Sequence, residues 1–364
     1  MFSQITLENL AVFRKLEWQP HKSLNLIIGE NGGKTHLLKT LYVIARSIEE
    51  YNKRKGHFHS ETWGDRIANK LLWTFQPAHW ELNTLITQGQ SKLKVEINFD
   101  HESLYFTLGE KNTTSISEFS ELNHKLPEFN ALFIPAKEVL TTYEAIAATR
   151  FEAKVFATAK LLPRKQLEIA GFDDTYYDLI KALRLHKTKG QIQSDLQALT
   201  FELDKMIEGE ILVDKQRFIF KRADEQYSMS QTAEGIKKIG ILSTLIRNRL
   251  LTKNTILFID EPETHLHPKL IIALVDTLFL MASMGISIYL ATHSYFVLRR
   301  FEWLARKHNE SIGLCSLYRA NKNGVTSQFY NLQDGMPSNQ IIDVSLELYE
   351  QNVLLDFKND DHLL

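Results

Sequence analysis

A single cysteine, Cys315, among 364 residues rules out an intrachain disulfide and any zinc site built on cysteine, and it fits a reducing compartment. Charge of one sign is also lacking. The 43 Lys and Arg stand against 44 Asp and Glu, a formal net charge of −1, so no global positive field draws the chain to nucleic acid or to an anionic membrane. Any such contact must come from a local patch. No apolar run approaches the ~20 residues that a membrane-spanning helix needs, and the opening MFSQITLENL has neither the charged start nor the apolar stretch of a secretory leader. The expected location is the cytoplasm, with no membrane partner. Internal repeats and low-complexity tracts are missing as well. What is present is 44% hydrophobic residues, enough to fill the core of a folded chain of this size.

Alternation and apolar runs organise the chain. Ile5, Leu7, Leu10 and Phe13 alternate with polar residues, and after Leu16 the run Leu24-Asn25-Leu26-Ile27-Ile28 leads into a glycine-rich turn, the pattern of two or three strands before a loop. From Lys34 to about Glu50, Leu37, Leu38, Leu41, Val43 and Ile44 mark one face of a helix. Two alternating runs between Ser91 and Leu108 meet at Asp100-His101 as a hairpin, and Ala131 to Ile134 form a further strand that stops at Pro135. From Ala136 to about Glu208 no strand pattern is present, and the region reads as a helical insertion. Ile192, Leu196, Leu199, Leu203 and Met206 make a heptad seam there, but it lasts only about two heptads, too short for a long coiled-coil arm. After a hairpin over Ile211 to Lys221, helix and strand are expected to alternate. The helices run from near Glu234 to Leu251, from Pro268 to Met284 and from Tyr295 to Arg306; the strands are Thr255 to Ile259, Ile286 to Leu290 and Ile312 to Tyr318. Such alternation predicts a mostly parallel sheet covered by helices.

Three short stretches carry chemistry. Gly29-Glu30-Asn31-Gly32-Gly33-Lys34-Thr35-His36 lies between a strand and a helix, where backbone N–H groups and a helix N-terminus make a concave anion site. In such a loop Lys34 reaches the β- and γ-phosphates of a nucleotide and Thr35 ligates Mg²⁺. The loop is one residue shorter than the usual G-x-x-x-x-G-K-[ST] spacing, which leaves open a strand-to-helix turn that binds nothing. The second stretch, Ile256-Leu-Phe-Ile-Asp260-Glu261-Pro262-Glu263, is a buried parallel strand with two acids at its C-terminal end, where ligands bind in open α/β sheets. There Asp260 would hold Mg²⁺ and Glu261 would orient and deprotonate an attacking water. His265 and His267 follow before Pro268, a pair better suited to structure than to metal. The third, Leu290-Ala291-Thr292-His293-Ser294, sets His293 at the end of a neighbouring strand, within reach of a γ-phosphate.

In this order the three stretches resemble the ABC-type ATPases of the SMC-like group, and most of all the stand-alone ATPases of the OLD (overcoming lysogenisation defect) type found in bacterial defence systems. The opening Ile5-Thr6-Leu7-Glu8-Asn9-Leu10 with Phe13-Arg14 is similar to theirs too. The resemblance implies an α/β P-loop ATPase head, a mixed sheet with flanking helices and a helical insertion: an N-lobe over 1–135, the insertion over 136–209 and a C-lobe over 210–364. It implies ATP and Mg²⁺ as cofactors, and a second copy that completes each phosphate loop with a signature segment. Ser230, Thr232, Glu234 and Gly235 stand where that signature belongs, although they depart from its usual S-G-G-Q, and a plain capping box at Gln231-Thr232 is the alternative. Pro135-Ala136-Lys137-Glu138 replaces the family's glutamine loop. No acid-rich segment is left for a Toprim nuclease, so an effector such as a nuclease or toxin is expected on another chain, with DNA or a phage-derived molecule as a candidate trigger. Two other readings stay open: a non-hydrolysing scaffold with a crippled loop, and a RecF-like DNA-repair ATPase using Lys53-Arg54-Lys55 with His57 and His59 as its basic patch.

Overall fold

The computed structural model describes residues 1–29, 32–53, 62–99, 102–121, 128–149, 171–184, 194–214, 217–320 and 324–360. The chain starts with β1 (Phe2–Leu10), β2 (Phe13–Trp18) and β3 (Leu24–Gly29), then α1 (Lys34–Lys53) and α2 (Trp63–Phe75). Next come β4 (Lys92–Phe99), β5 (Glu102–Gly109), the short β6 (Glu118–Phe119) and β7 (Asn130–Ile134). Two helices, α3 (Asp174–Arg184) and α4 (Ser194–Met206), precede β8 (Glu210–Asp214), β9 (Arg217–Arg222) and β10 (Glu225–Ser228). The C-terminal part runs α5 (Glu234–Arg247), β11 (Thr255–Asp260), α6 (Pro268–Ser283), β12 (Ser287–Ala291), α7 (Tyr295–His308), β13 (Gly313–Ala320), β14 (Gly324–Asn331) and α8 (Gln340–Asp360).

A six-stranded sheet of order β14-β13-β3-β12-β11-β7 forms the middle layer, parallel except for β14 at one edge. Its strands are buried on both faces, which is why they read as unbroken apolar runs. Alternate residues serve two separate cores. Leu26, Leu257, Ile288 and Leu290 point into one with the helices α3 to α7, while Ile27, Phe258, Tyr289 and Cys315 point into the other with α1, α2 and the antiparallel sheet β2-β1-β4-β5-β6. Cys315 is fully buried, and burial holds its thiol well above the ordinary range, so it packs as a small apolar group. The mixed sheet with flanking helices is the architecture that the sequence led us to expect.

Several details differ from expectation, each for a local reason. Helix α2 was not anticipated; Thr62 and Asp65 fix its start as a reciprocal capping box. Helix α5 ends at Arg247, short of Leu251, because Arg249 turns into the left-handed region at φ 60°. The hairpin over 211–221 gains a third strand, β10. Leu196, Leu199 and Leu203 of the heptad seam face the main core, with α4 packed on α5; Ile192 lies outside the described residues.

Candidate nucleotide site

The five parallel strands end on one edge, and beyond β12 and β11 the chain stays laddered to its neighbour. Thr292 N–H donates to the Ile27 carbonyl (3.1 Å) and Glu261 N–H to the Ala291 carbonyl (2.9 Å). The strand order β3-β12-β11 therefore delivers Gly29, Thr292-His293 and Asp260-Glu261 side by side. Gly29 (φ 145°) and Gly33 (φ 101°) take backbone conformations that side chains resist. A Cβ on Gly29 would stand 2.3 Å from the Leu317 carbonyl oxygen, and one on Gly33 2.8 Å from Phe13 Cζ. The β1–β2 turn thus presses the phosphate-loop backbone into place. Glu30 and Asn31 lie outside the described residues.

Lys34 is buried, and its ammonium donates to the Gly29 carbonyl (2.7 Å) across the mouth of the loop. Burial lowers its pKa, against the pull of Glu261, Asp260 and Glu263. Thr35 Oγ1 donates to Asp260, 3.0 Å from Oδ2 and 3.3 Å from Oδ1. This bond joins the phosphate loop to the acidic strand end. Burial pushes the Asp260 carboxyl up to about 6, and the Glu261 charge adds to the shift while the Thr35 hydroxyl opposes it. Glu261 sits in the left-handed region at φ 46°, and its carboxylate meets His293 Nε2 at 3.3 Å. Burial and Lys34 lower the His293 pKa against the pull of Glu261 and Glu263, which favours the neutral imidazole. His36, the last residue of the expected phosphate loop, lies on α1 with its ring 5.7 Å from that of Phe75.

Two charged side chains were given no role by sequence reasoning. Glu263 Oε1 accepts from the Thr292 hydroxyl (2.7 Å) and the His293 N–H (3.0 Å), so it fixes the turn that carries the imidazole. Lys238, on α5, donates to the Glu261 carbonyl (2.9 Å) and contacts the Thr264 hydroxyl. Burial brings its ammonium down to about 8, although Glu263, Glu261 and Asp260 oppose this. Lys238 braces the strained Glu261 backbone from α5, the helix that follows the expected signature segment. The only sequence signal for these two was proximity: Glu263 is in the acidic string, and Lys238 three residues past Gly235.

The remaining candidates have local partners. Ser228 and Gln231 form a capping box on a 3-10 turn, which corrects the alternative reading of a Gln231-Thr232 box before the helix: α5 itself starts after Ala233, with no side-chain cap. Ser230 Oγ lies 2.9 Å from Ser228 Oγ, and Thr232 Oγ1 donates to the Ser228 carbonyl (2.8 Å). Glu234 accepts from Lys237 (2.8 Å). Gly235 passes close under His265-Leu266, where a Cβ would meet Leu266 Cδ2 at 2.9 Å. His267 caps α6, its Nδ1 accepting from Lys269 N–H (3.3 Å), and Ser294 caps α7. Among the described residues no cluster of metal-ligating His, Cys, Asp and Glu is present. Lys137 is exposed. Of the basic patch, Lys53 pairs with Glu49 (2.5 Å), and Arg54, Lys55, His57 and His59 lie outside the described residues.

A family model described as "AAA domain, putative AbiEii toxin, Type IV TA system" matches residues 24–299. The match spans most of the chain, and the chain belongs to this AAA family. No curated protein sequence matches it. Among solved structures, it is similar to the Smc head domain with an extended coiled coil bound to the C-terminal domain of ScpA, from Pyrococcus furiosus, with TM-score 0.53 and 10% identity over 96% of this chain and 99% of that one. A second SmcHead, bound to the C-winged helix domain of ScpA, aligns with TM-score 0.53 and 10% identity over 92% of this chain and 99% of that one. At this identity the likeness is one of fold. The chain is thus an AAA-family domain whose fold is similar to that of the Smc head.

Proposed function

We propose that the chain binds ATP, closes on it with a second copy, hydrolyses it, and by this cycle controls a separate effector chain in anti-phage defence. The observation that carries the reading is the Thr35–Asp260 hydrogen bond, which joins residues 225 positions apart in the pairing that phosphoryl transfer uses. The loop Gly29 to His36 would cradle the phosphates with its N–H groups, and Lys34 would exchange the Gly29 carbonyl for phosphate oxygens. The hydroxyl of Thr35 and the carboxylate of Asp260 are hard oxygen donors that suit Mg²⁺, and these two residues would hold it. Bound there, the ion supplies neutralisation of phosphate charge. Glu261, in contact with a neutral His293, takes the proton of the attacking water. Ser230, Thr232, Glu234 and Gly235 would meet the γ-phosphate of the other copy, with the uncapped N-terminus of α5 supplying N–H donors.

The SMC heads solved with ScpA support a partnered machine, and the toxin named in the family description supports a defence setting. A non-hydrolysing scaffold is the second reading, favoured by the loop one residue short. Phosphate release by the purified protein separates the two. We expect Mg²⁺-dependent turnover that falls about 10²–10⁴-fold in Glu261→Gln, with ATP still bound and a dimer accumulating on a sizing column. Undiminished hydrolysis in this variant rejects the assignment of Glu261, and no turnover in the parent leaves the scaffold.

A further inference from the structure

Two surfaces of this chain are uncovered and opposite in character. The first is α8. Its first turn is anchored by the buried Ile342, and beyond it the apolar side chains face solvent, Tyr349 at 67% exposure. Val344, Leu348 and Leu355 recur at spacings of a helix seam and Leu346 and Tyr349 form a second row, while Asp343, Glu347 and Glu350 fall together on a third side that also carries the exposed Leu354. An apolar arc this wide is buried only by a partner surface. From Gln340 to Leu355 the helix has three acids and no Lys or Arg.

The second surface is the outer face of α6 and α7. Arg300 grips Asp276 with two bonds (2.7 and 2.8 Å) and so locks the helices together. One turn to either side, Ile272 and Leu280 on α6 and Phe296 and Trp303 on α7 are exposed, Trp303 at 46%. Arg300 and Lys307 lie over the Trp303 ring at 4.3 and 4.5 Å, and Arg306 stands out at 66% side-chain exposure. Helix α7 has four cations, Arg299, Arg300, Arg306 and Lys307, against one acid, Glu302. Exposed Trp and Arg at the centre of an apolar patch are the residues on which interfaces depend.

We infer that α8 of one copy docks on the α6/α7 face of a second copy, and reciprocally, so that two chains exchange C-terminal helices. The acidic rim of the helix then meets Arg306 and Lys307 while its leucines cover Trp303 and Phe296. Within one chain both surfaces are exposed at once, so α8 does not cover its own α6/α7 face, and a two-fold exchange buries both on each chain. The contact needs no nucleotide. It is therefore separable from the ATP-dependent closure proposed above.

Sedimentation equilibrium on the full chain in a Lys34→Ala background, without nucleotide, tests it. We expect a concentration-dependent dimer. Trp303→Ala should raise its dissociation constant about thirtyfold. Reversing the arm (Glu347→Lys with Glu350→Lys) or the face (Arg306→Glu with Lys307→Glu) should each weaken the dimer about tenfold or more, and an equimolar mixture of the two reversed chains should pair again, with circular dichroism confirming that each is folded. A parent chain that stays monomeric overturns the proposal and assigns the surfaces to another protein. Reversed chains that fail to pair on mixing overturn it too. These results leave the nucleotide reading untouched, since the background removes nucleotide binding.

Discussion

Asp260 and Asp178 are both largely buried carboxylates beside α1, and their surroundings treat them in opposite ways. Asp178, on α3, contacts Lys70 and accepts from the Tyr42 hydroxyl (2.5 Å), with Arg46 at 3.7 Å. Against the cost of burial, Lys70 and Arg46 hold its carboxyl down at about 2. Asp260 has one hydroxyl donor and a second acid as its neighbour, and burial takes it up to about 6. The first carboxylate is saturated with cations and ties α3 to α1 and α2. At the second, burial outweighs the pull of Lys39 and Lys34, a stability cost of the kind that binding sites retain. Buried charge alone does not separate scaffold from site. Between these two carboxylates the direction of the shift differs with the cations in contact.

That contrast breaks most strongly at Lys70. Lys70→Met should cost about 3–5 kcal/mol in denaturant unfolding, because it leaves Asp174 and Asp178 buried without their shared cation. A midpoint within error of the parent would mean that the joint is not structural. Asp260→Asn should act in the other direction and stabilise the nucleotide-free protein by about 2 kcal/mol at pH 7, through removal of a charge that burial disfavours. The same variant should lose any stabilisation by ATP with Mg²⁺ in a thermal-shift assay.

The sign of the Asp260 effect fixes its pH dependence. A carboxyl whose folded pKa is raised penalises the fold in full above about 6, and the penalty fades as pH falls toward the unfolded value of about 3.9. The advantage of Asp260→Asn should therefore shrink between pH 7 and pH 4. The contribution of Asp178 runs the opposite way: it is present through most of that window and is lost as pH falls from about 3.9 through about 2. Equal advantage at both pH values would refute the raised proton affinity of Asp260. The smallest contrast lies within the loop. Gly33→Ala should destabilise by about 1–3 kcal/mol through left-handed strain and the contact with Phe13, whereas Gly32→Ala, with nothing within 4 Å of an added Cβ, should change stability by about 0.5 kcal/mol or less.

The sequence by itself determined the buried parallel strands, the α/β class and the three stretches at the strand ends, but not the edge strands β6, β10 and β14. Fully buried parallel strands have no polar face, so Ile256 to Ile259 and Leu24 to Ile28 are visible as runs, and glycines held at positive φ are visible as letters. Helices α2 and α8 escaped notice for a physical reason. Helix α2 packs against α1 and touches α3, with the charged Arg66 and Lys70 among its buried positions, and α8 leaves most of its apolar residues uncovered, so in neither does the buried face coincide with the apolar one. Only the tertiary structure decided which distant groups meet. Thr35 faces Asp260 because β12 spaces β3 from β11 by one strand, Glu263 reaches His293 because two adjacent strand ends turn toward each other, and Lys238 finds the Glu261 carbonyl because α5 packs beside that edge. Strand order and helix packing follow from the summed burial of the whole chain, while periodicity reports only which face of each segment is buried. The shift of a carboxyl to about 6 or about 2 follows in turn from how deeply folding buries it and where the cations come to rest.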